Sequence, residues 1–407
     1  MLIPDNLLQD KKVLLGITGS IAAYKSLELI RLFTKAGANV RVIMSQSAKK
    51  FITPLSCETL SSNQILDDTN ESWTTDHNHI KIGEWADIFV IAPCSANTLA
   101  KISHGIADNI LLQTVLASPK LKLLALSANT NMIHNPITQS NIDLLKSSNF
   151  NLIDTQTKEL ACKTTGDGAM AEPLEIFWQT TKALLQDPFF HNKKAFVTGG
   201  GTREKIDDVR YITNFSSGKM ASALATALYC RGVDVTLIAS SYENELPKKI
   251  SVKKIESSSE LLETLKKSID NLQQENKDNT FLFMAAAVSD YVPKKTSHGK
   301  LKKSDIGVNF NLQLKQNIDI LKSIDRKNII SIGFKAEMDP NEALNNATKM
   351  LESKNLDAVC LNILKNSSSF GTDTNEINFI TKKSQETLTN KDKLSLAFEI
   401  LDLSKDT

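Results

Sequence analysis

Long apolar runs are missing from this 407-residue chain. No stretch reaches the roughly 18 uninterrupted apolar residues of a membrane span, and the opening MLIPDNLLQDKK has no apolar core of signal-peptide length. An exported or membrane-embedded protein is not expected, and the cytoplasm is the default location. Cysteine is scarce too: the five residues Cys57, Cys94, Cys162, Cys230 and Cys360 are odd in number, far apart and without a CxxC pair. That argues against a disulfide framework or structural zinc and for a reducing compartment. Neither charge is in excess, since 48 Lys and Arg face 46 Asp and Glu for a net +2, which gives no general reason to bind nucleic acid. Any anion site must be local. Hydrophobic residues at 41% and charged residues at 23% exclude an intrinsically disordered or collagen-like chain. At one domain per roughly 100 to 200 residues, the length favours two or three domains.

Two places share one local grammar: a short apolar β-type run, a Gly-rich turn, then a segment of helical period. They are KVLLGITGSIAAYKSLELIRLF (12–33) and KKAFVTGGGTREKIDDVRYITNFSSGKMASALATALY (193–229). Buried strands are expected at NVRVIMS, ADIFVIAPC and KLLALSAN in the first half and at DVTLIAS, TFLFMAAAV, NIISIGF and DAVCLNI in the second. Helices at 106–118, 173–187 and 340–354 lie among them. Near-continuous apolar strands separated by helices imply parallel sheets covered on both faces. QDPFFHNKK (186–194) reads as the boundary. The fold class expected is α/β, two doubly wound parallel-sheet domains spanning 1–188 and 189–407.

Neither glycine turn is a familiar nucleotide fingerprint, because GITGSIAAYK lacks GxGxxG spacing and GGGTREK lacks a GKS or GKT ending. Backbone N–H groups at a strand-to-helix turn still favour a phosphate, and a turn whose glycines serve packing alone is the competing reading. Polar strand ends, where parallel sheets bind ligands, stand at Ala92–Thr98 and Leu126–Met132. A Gly-rich segment, Ala161–Met170, reads as a mobile flap presenting Cys162. In the second half, Gly199–Met220 reads as a long polar loop capping a helix and suited to an anion. The cluster Ala285–Tyr291 leads into a basic loop with Lys294, Lys295, Lys300, Lys302 and Lys303, placed to meet a triphosphate or, read alone, to face solvent.

GSIAAYK, NHIKIGEWAD, APCSANTLAK, GIADNILL, NTNMIHNPITQ and ACKTTGDGAMAEP together resemble the flavin-dependent cysteine decarboxylase family. The resemblance implies a flavodoxin-like fold, noncovalent FMN and an active site formed between subunits of a trimer. It makes His79 the counterpart of the catalytic histidine, Asn129 of the asparagine holding the substrate carboxylate, and Cys162 of the proton donor. Ser20, Ser45, Ser95, Asn97 and Thr98 match FMN-contact positions. In that family, flavin oxidises the cysteine thiol to a thioaldehyde that accepts the electrons left by departing CO2, then returns them. A thiol of intrinsic pKa about 8.5 suits protonation of the resulting enethiolate better than a carboxylic acid. Two positions depart from the family pattern: Leu126-Ser127-Ala128-Asn129 replaces Pro-Ala-Met-Asn, and Ala169 replaces an arginine.

The second half resembles phosphopantothenate–cysteine ligase, fused behind the decarboxylase as in the bifunctional bacterial enzyme of coenzyme A biosynthesis. That resemblance implies attack of 4'-phosphopantothenate on CTP, giving an acyl-cytidylate and pyrophosphate, followed by displacement of CMP by the amine of L-cysteine. Asn214 matches the asparagine that binds the acyl-cytidylate and Lys300 the lysine of the second step. CTP contacts fall at Ala285, Ala286, Asp290, Lys300, Ile318, Asp319, Ile320, Leu321, Phe334 and Lys354. Mg2+ accompanies the triphosphate, and no spacing identifies its protein ligands. The lysine usual four residues before Lys354 is Met350 here, with Lys349 adjacent, so either Lys349 takes its role or one contact is missing.

The product of the ligase is the substrate of the decarboxylase, so one chain would run consecutive steps. A flavin-binding regulatory protein without catalytic activity is the rival reading, disfavoured by Cys162 in its flap and by the intact Asn214 and Lys300. A two-domain NAD oxidoreductase is disfavoured by the missing GxGxxG. The family further implies homo-oligomers, trimers of the first domain and dimers of the second combining into a dodecamer.

Overall fold

The computed structural model describes residues 3–159, 165–272, 280–302, 307–364 and 371–407. The chain divides into two compact units, residues 3–185 and 186–407. In the first, the strands are β1 (Lys12–Ile17), β2 (Asn39–Met44), β3 (Ile88–Ser95), β4 (Lys122–Ser127) and β5 (Phe150–Ile153). They form one parallel sheet of order β2-β1-β3-β4-β5. Helices α1 (Tyr24–Lys35), α2 (Pro54–Ser61), α3 (His79–Trp85), α4 (Ala96–Ser103), α5 (Ile110–Ala117), α6 (Thr130–Ile133), α7 (Pro136–Lys146) and α8 (Pro173–Leu185) accompany it. The burial of β1, β3 and β4 is nearly complete along their length, the mark of a sheet covered on both faces. Helix α1 buries Ser26, Leu29, Ile30 and Phe33 at helical spacing, and Phe33 meets Phe177 of α8 with ring centroids 5.6 Å apart.

The order places a switch point between β1 and β3, where consecutive connections leave toward opposite edges. Thr18, just beyond β1, stitches it: its hydroxyl donates to the Pro93 carbonyl at 2.7 Å and accepts from the Ser95 N–H at 3.0 Å. The segment beyond β5 differs from its expected form. It is an antiparallel hairpin of β6 (Gln156–Glu159) and β7 (Thr165–Ala169), with residues 160–164, Cys162 among them, outside the described residues. The alternating Gly166 and Gly168 mark a close approach of two backbones. A Cβ on Gly168 would stand 1.9 Å from the Ala128 carbonyl oxygen, and the Ala128 N–H donates to the Gly168 carbonyl at 3.0 Å.

The second unit holds an eight-stranded sheet, order β12-β11-β8-β13-β16-β17-β18-β19. Its strands are β8 (Lys194–Gly199), β11 (Asp234–Ala239), β12 (Ser251–Lys254), β13 (Thr280–Met284), β16 (Ile329–Glu337), β17 (Ala358–Ile363), β18 (Thr374–Thr381) and β19 (Gln385–Asp392). The first six are parallel. β18 runs antiparallel to both its neighbours, β17 and β19, and makes the sheet mixed, a departure from the fully parallel sheet expected. β19 is exposed at most positions, so it lacks the continuous apolar run by which buried strands are read. Two ribbons complete the polar loops, β9 (Arg203–Lys205) with β10 (Tyr211–Thr213) and β14 (Tyr291–Pro293) with β15 (Leu314–Gln316). The helices are α9 (Lys219–Arg231), α10 (Ser258–Asp270), α11 (Pro340–Ser353) and α12 (Lys393–Leu403).

Phe281 and Phe283 of β13 are wholly buried, and Phe190 packs on Phe281 at 5.8 Å. Truncating such a ring to alanine costs about 3–5 kcal/mol. The switch point of this sheet lies between β8 and β13. Its triple-glycine turn is explained by close packing: a Cβ on Gly199 would stand 2.5 Å from that of Ala221 in α9, and one on Gly201 would stand 2.3 Å from the Asn214 carbonyl oxygen. Gly200 has φ +76°, a backbone side chains resist.

Candidate functional site

In the first unit, the polar ends of β1, β3 and β4 converge on the switch point. The Ser20 and Ser127 hydroxyls meet at 2.9 Å, tying the turn after β1 to the end of β4. Ser95 caps α4, accepting from the Thr98 N–H at 3.3 Å and donating to the Thr98 hydroxyl at 3.1 Å. Ser45 follows β2, where its hydroxyl accepts from the Ala48 N–H at 3.3 Å, and Asn97 is exposed in the first turn of α4. A cavity of about 540 Å3 opens beside this group, lined by Ser20, Tyr24, Lys25, Ser127, Asn129 and Met170 among others. Asn129 caps α6, its Oδ1 accepting from the Asn131 N–H at 2.9 Å.

Two cations escaped the sequence reading. Lys25 donates to Glu172 at 3.0 Å, and Lys158 of β6 pairs with the other oxygen of the same carboxylate. Burial pulls the Lys25 ammonium below its usual value against the opposing effect of Glu172. Lys25 and Lys158 both line the cavity; Lys25 closes the GSIAAYK turn without having been singled out there, and Lys158 lies in a stretch without a motif of its own.

His79 is not among the residues lining that cavity. It opens α3, whose cap Asn78 accepts from the Lys81 N–H at 2.9 Å. Its Nδ1 lies 2.6 Å from Glu71 Oε1, which also accepts its backbone N–H at 3.2 Å, and Trp73 meets the ring edge-on at 5.5 Å. Burial alone would raise the Glu71 carboxyl, but the His79 hydrogen bonds outweigh it and hold it below the usual carboxylate range. An ionised Glu71 accepts the Nδ1 proton and leaves Nε2 as the ring's acceptor. Glu71 sits in a segment without periodicity, so nothing in the sequence marked it. The strand-end Cys94 is buried, its thiol pushed up to about 12, and is inert.

In the second unit, a cavity of about 600 Å3 lies beyond the carboxyl ends of β13 and β16. It brings together Asn214, Ala286, Asp290, the turn Ile318–Leu321, Phe334 and Lys354. Lys354 pairs with Asp319 at 3.3 Å, and the Asn214 amide donates to the Val288 carbonyl at 3.1 Å. Asn317 fixes the turn, its N–H donating to the Asp290 carbonyl at 2.8 Å and its amide to the Ser289 carbonyl at 2.7 Å. The buried Ser289 hydroxyl at the wall has no partner among the described residues. Arg326 ties the turn to the end of α11: Nε donates to the Leu321 carbonyl at 3.2 Å, Nη2 to that of Lys354 at 2.5 Å and Nη1 to that of Asn355 at 3.3 Å. Met350 lines the cavity, whereas Lys349 is exposed and does not.

Ala285 lines a smaller adjoining cavity of about 200 Å3, together with Gly218, Lys219 and Lys393. Lys300 lines neither. It is exposed on a loop whose flanks are fastened to the Asp207–Arg210 turn. Asp208 accepts the Gly299 N–H at 2.6 Å, and Asp207 accepts the Leu301 N–H at 3.1 Å. Arg210 donates to the Leu301 carbonyl at 3.0 Å, and its guanidinium bonds hold the Asp207 carboxyl well below the usual range. Among the described residues, no three His, Cys, Asp or Glu side chains gather to hold a metal ion, and no helix is long and apolar enough to cross a membrane.

Two family models match the chain: a flavoprotein family over residues 3–185 and the C-terminal domain of DNA/pantothenate metabolism flavoproteins over residues 190–406. A coenzyme A biosynthesis bifunctional protein of Borreliella burgdorferi is 36% identical over 399 residues, covering 97% of this chain and 98% of the relative. That of Bacillus subtilis is 35% identical over 413 residues, covering 98% and 99%. A solved structure of a PPC decarboxylase mutant complexed with pantothenoylaminoethenethiol is 36% identical, covering 43% of this chain and 98% of its own, with a TM-score of 0.40.

Proposed function

Since the chain belongs to the family of bifunctional coenzyme A biosynthesis proteins, we propose that its second unit ligates 4'-phosphopantothenate to L-cysteine using CTP and that its first decarboxylates the adduct to 4'-phosphopantetheine using FMN. The observation that carries the reading is a pair of cavities, one at the strand-end crevice of each unit, where open α/β sheets bind ligands.

In the first unit the residues fit a flavin phosphate: the hydroxyls of Ser20, Ser45 and Ser95 stand at the strand ends, beside the N-terminus of α4, with Asn97 and Thr98 in its first turn. Bound FMN supplies the reversible two-electron oxidation that makes the cysteine thiol carbon an acceptor for the electrons released with CO2. The remaining work falls to side chains. Asn129, its Oδ1 accepting from Asn131 at the cap of α6, holds the substrate carboxylate. His79, fixed by Glu71, offers Nε2 to the thiol proton, and Cys162 returns a proton to carbon. His79 stands outside the cavity that Asn129 lines, which supports a site completed by a neighbouring copy, such as a trimer would supply. Dimers of the second unit and an assembled dodecamer complete the proposed oligomer.

In the second unit, a carboxylate oxygen of phosphopantothenate attacks the α-phosphorus of CTP as the bond to the pyrophosphate oxygen breaks. The cysteine amine then forms the amide and expels CMP. Asp290, the 318–321 turn, Phe334 and Lys354 shape the nucleotide cavity, and the unpartnered Ser289 hydroxyl supplies a buried polar group for a ligand to satisfy. Mg2+ enters on the triphosphate, as an ion that keeps substrate phosphates and water among its ligands does. Asn214 holds the acyl-cytidylate, and Lys300, exposed on the loop that the Asp207–Arg210 turn fastens on either side of it, serves the second step.

The test is a mass-resolved product assay with purified full chain, 4'-phosphopantothenate, L-cysteine, CTP and Mg2+. A yellow protein yielding 4'-phosphopantetheine, CMP, pyrophosphate and CO2 is expected. Flavin retained with neither product formed would overturn the reading.

A further inference from the structure

The larger and smaller cavities of the second unit are contiguous over the ends of β13 and β16. Five residues line both: Ala286, Ala287, Phe334, Lys335 and Ala336. Only Lys335 among these carries a charge. Its ammonium is held 3.1 Å from Glu337 Oε1, two residues along the same face of β16, and Glu337 is itself anchored by the Asn346 amide of α11 at 3.1 Å. Lys335 therefore lines the junction, with its ammonium tethered to Glu337 of the same strand.

The two sides of that junction differ. The larger holds Asp319, Lys354 and the 318–321 turn. The smaller holds Lys219 and Lys393, with the Lys219 ammonium 2.7 Å from Asp373. Nucleotide on one side and carboxylate substrate on the other must meet between them, two anions approaching at a point where repulsion opposes reaction. A fixed cation there favours the transition state over the separated substrates, because the added charge on the phosphoryl oxygens develops beside it.

We propose that Lys335 is a catalytic residue of the first ligase step, binding the α-phosphate of the nucleotide at the junction of the two cavities as the substrate carboxylate attacks it. The ammonium transfers no proton. The new bond joins the carboxylate oxygen to phosphorus, the bond to the bridging oxygen breaks, and pyrophosphate carries away that electron pair. The inference rests on the ligase reading of the second unit.

The experiment measures pyrophosphate release in a single turnover by the full-length enzyme, with phosphopantothenate, CTP and Mg2+ but no cysteine. Lys335→Gln and Lys335→Met are each expected to slow the step by about 100-fold to 1,000-fold. KM for CTP should move far less, and Lys335→Arg should recover most of the rate because the charge is kept. A role confined to holding Glu337 in the fold would not give that split between kcat and KM. Wild-type enzyme that releases no pyrophosphate would overturn the ligase reading itself. Active wild type with equally fast Lys335→Gln and Lys335→Met would overturn this proposal alone, as would a loss confined to KM.

Discussion

Arg326 is the place where a single side chain holds the larger cavity of the second unit in shape. Helix α11 ends with Asn355 in the left-handed conformation, φ 44°, which turns the carbonyls of Lys354 and Asn355 away from the helix. The guanidinium collects both, along with the Leu321 carbonyl of the facing turn. Burial lowers its pKa, while Asp357 and Asp319 raise it. A hydrogen bond from a charged donor contributes about 1.5–3 kcal/mol. The Lys354 bond at 2.5 Å is the strong one, and those at 3.2 and 3.3 Å are near the limit of useful geometry. Offsetting the desolvation of a half-buried cation, Arg326→Ala should destabilise the second unit by about 2 kcal/mol. If the turn and the helix end must be in register before CTP binds, affinity falls with the fraction of competent molecules, up to roughly thirtyfold for about 2 kcal/mol. Urea unfolding followed by circular dichroism measures the first quantity, and titration calorimetry with CTP and Mg2+ the second. Arg326→Lys should recover less than half of either loss, because one ammonium cannot serve three carbonyls. Lost stability with unchanged CTP affinity would refute the coupling between clamp and cavity; no change in either would refute the clamp.

Three further outcomes are expected. Gly168→Ala should drive β7 off the Ala128 carbonyl, costing about 1–3 kcal/mol and lowering decarboxylation of supplied adduct while ligation continues; equal activity would show the close contact to be dispensable. Glu71→Gln should cut the decarboxylation rate by on the order of a hundredfold with flavin absorbance unchanged, because the amide no longer fixes the His79 tautomer. Asp207 has a folded pKa below its unfolded value of about 4, so its contribution is complete above that pH and is lost as pH falls toward the folded value. The protection factor of the Leu301 amide, its exchange rate corrected for the intrinsic pH dependence, should accordingly fall below about pH 4, and Asp207→Asn should have little protection there already at neutral pH; pH-independent protection at Leu301 would contradict this.

The α/β class and the two strand–turn–helix openings were legible because buried parallel strands carry continuous apolar runs, and β1, β3, β4 and β13 do so. Half-exposed β19 and the short ribbons lack such runs and went unread. The glycines of Gly199–Gly201 raised a choice between phosphate and packing; the crowding by Ala221 and Asn214 shows that packing requires Gly199 and Gly201, a constraint the sequence could not display. At the flap, Gly168 meets a requirement the sequence did not show, since the Ala128 backbone lies where a side chain would stand. Residues that act through others were invisible. Glu71 precedes His79 by eight positions, and Arg326 lies 28 residues before the Lys354 carbonyl it grips, so only the folded chain pairs them. Lys335 was hidden for a different reason: it stands one residue past the apolar run NIISIGF, in the part of β16 that the run did not cover.

Beyond the ends of β8 and β13, the Ala287 N–H donates to the Gly200 carbonyl at 2.8 Å and the Thr202 N–H to the Ala287 carbonyl at 3.1 Å. Diverging strands are thereby buttoned together again past the point where they part. The floor of the crevice has a fixed gauge: a bulkier guest cannot be admitted by splaying the sheet, since that would strip main-chain bonds no side chain replaces. Discrimination among guests must then reside in the walls, in the 318–321 turn and the side chains facing it. Substitutions there can retune what is accepted without disturbing the ruler against which it is measured.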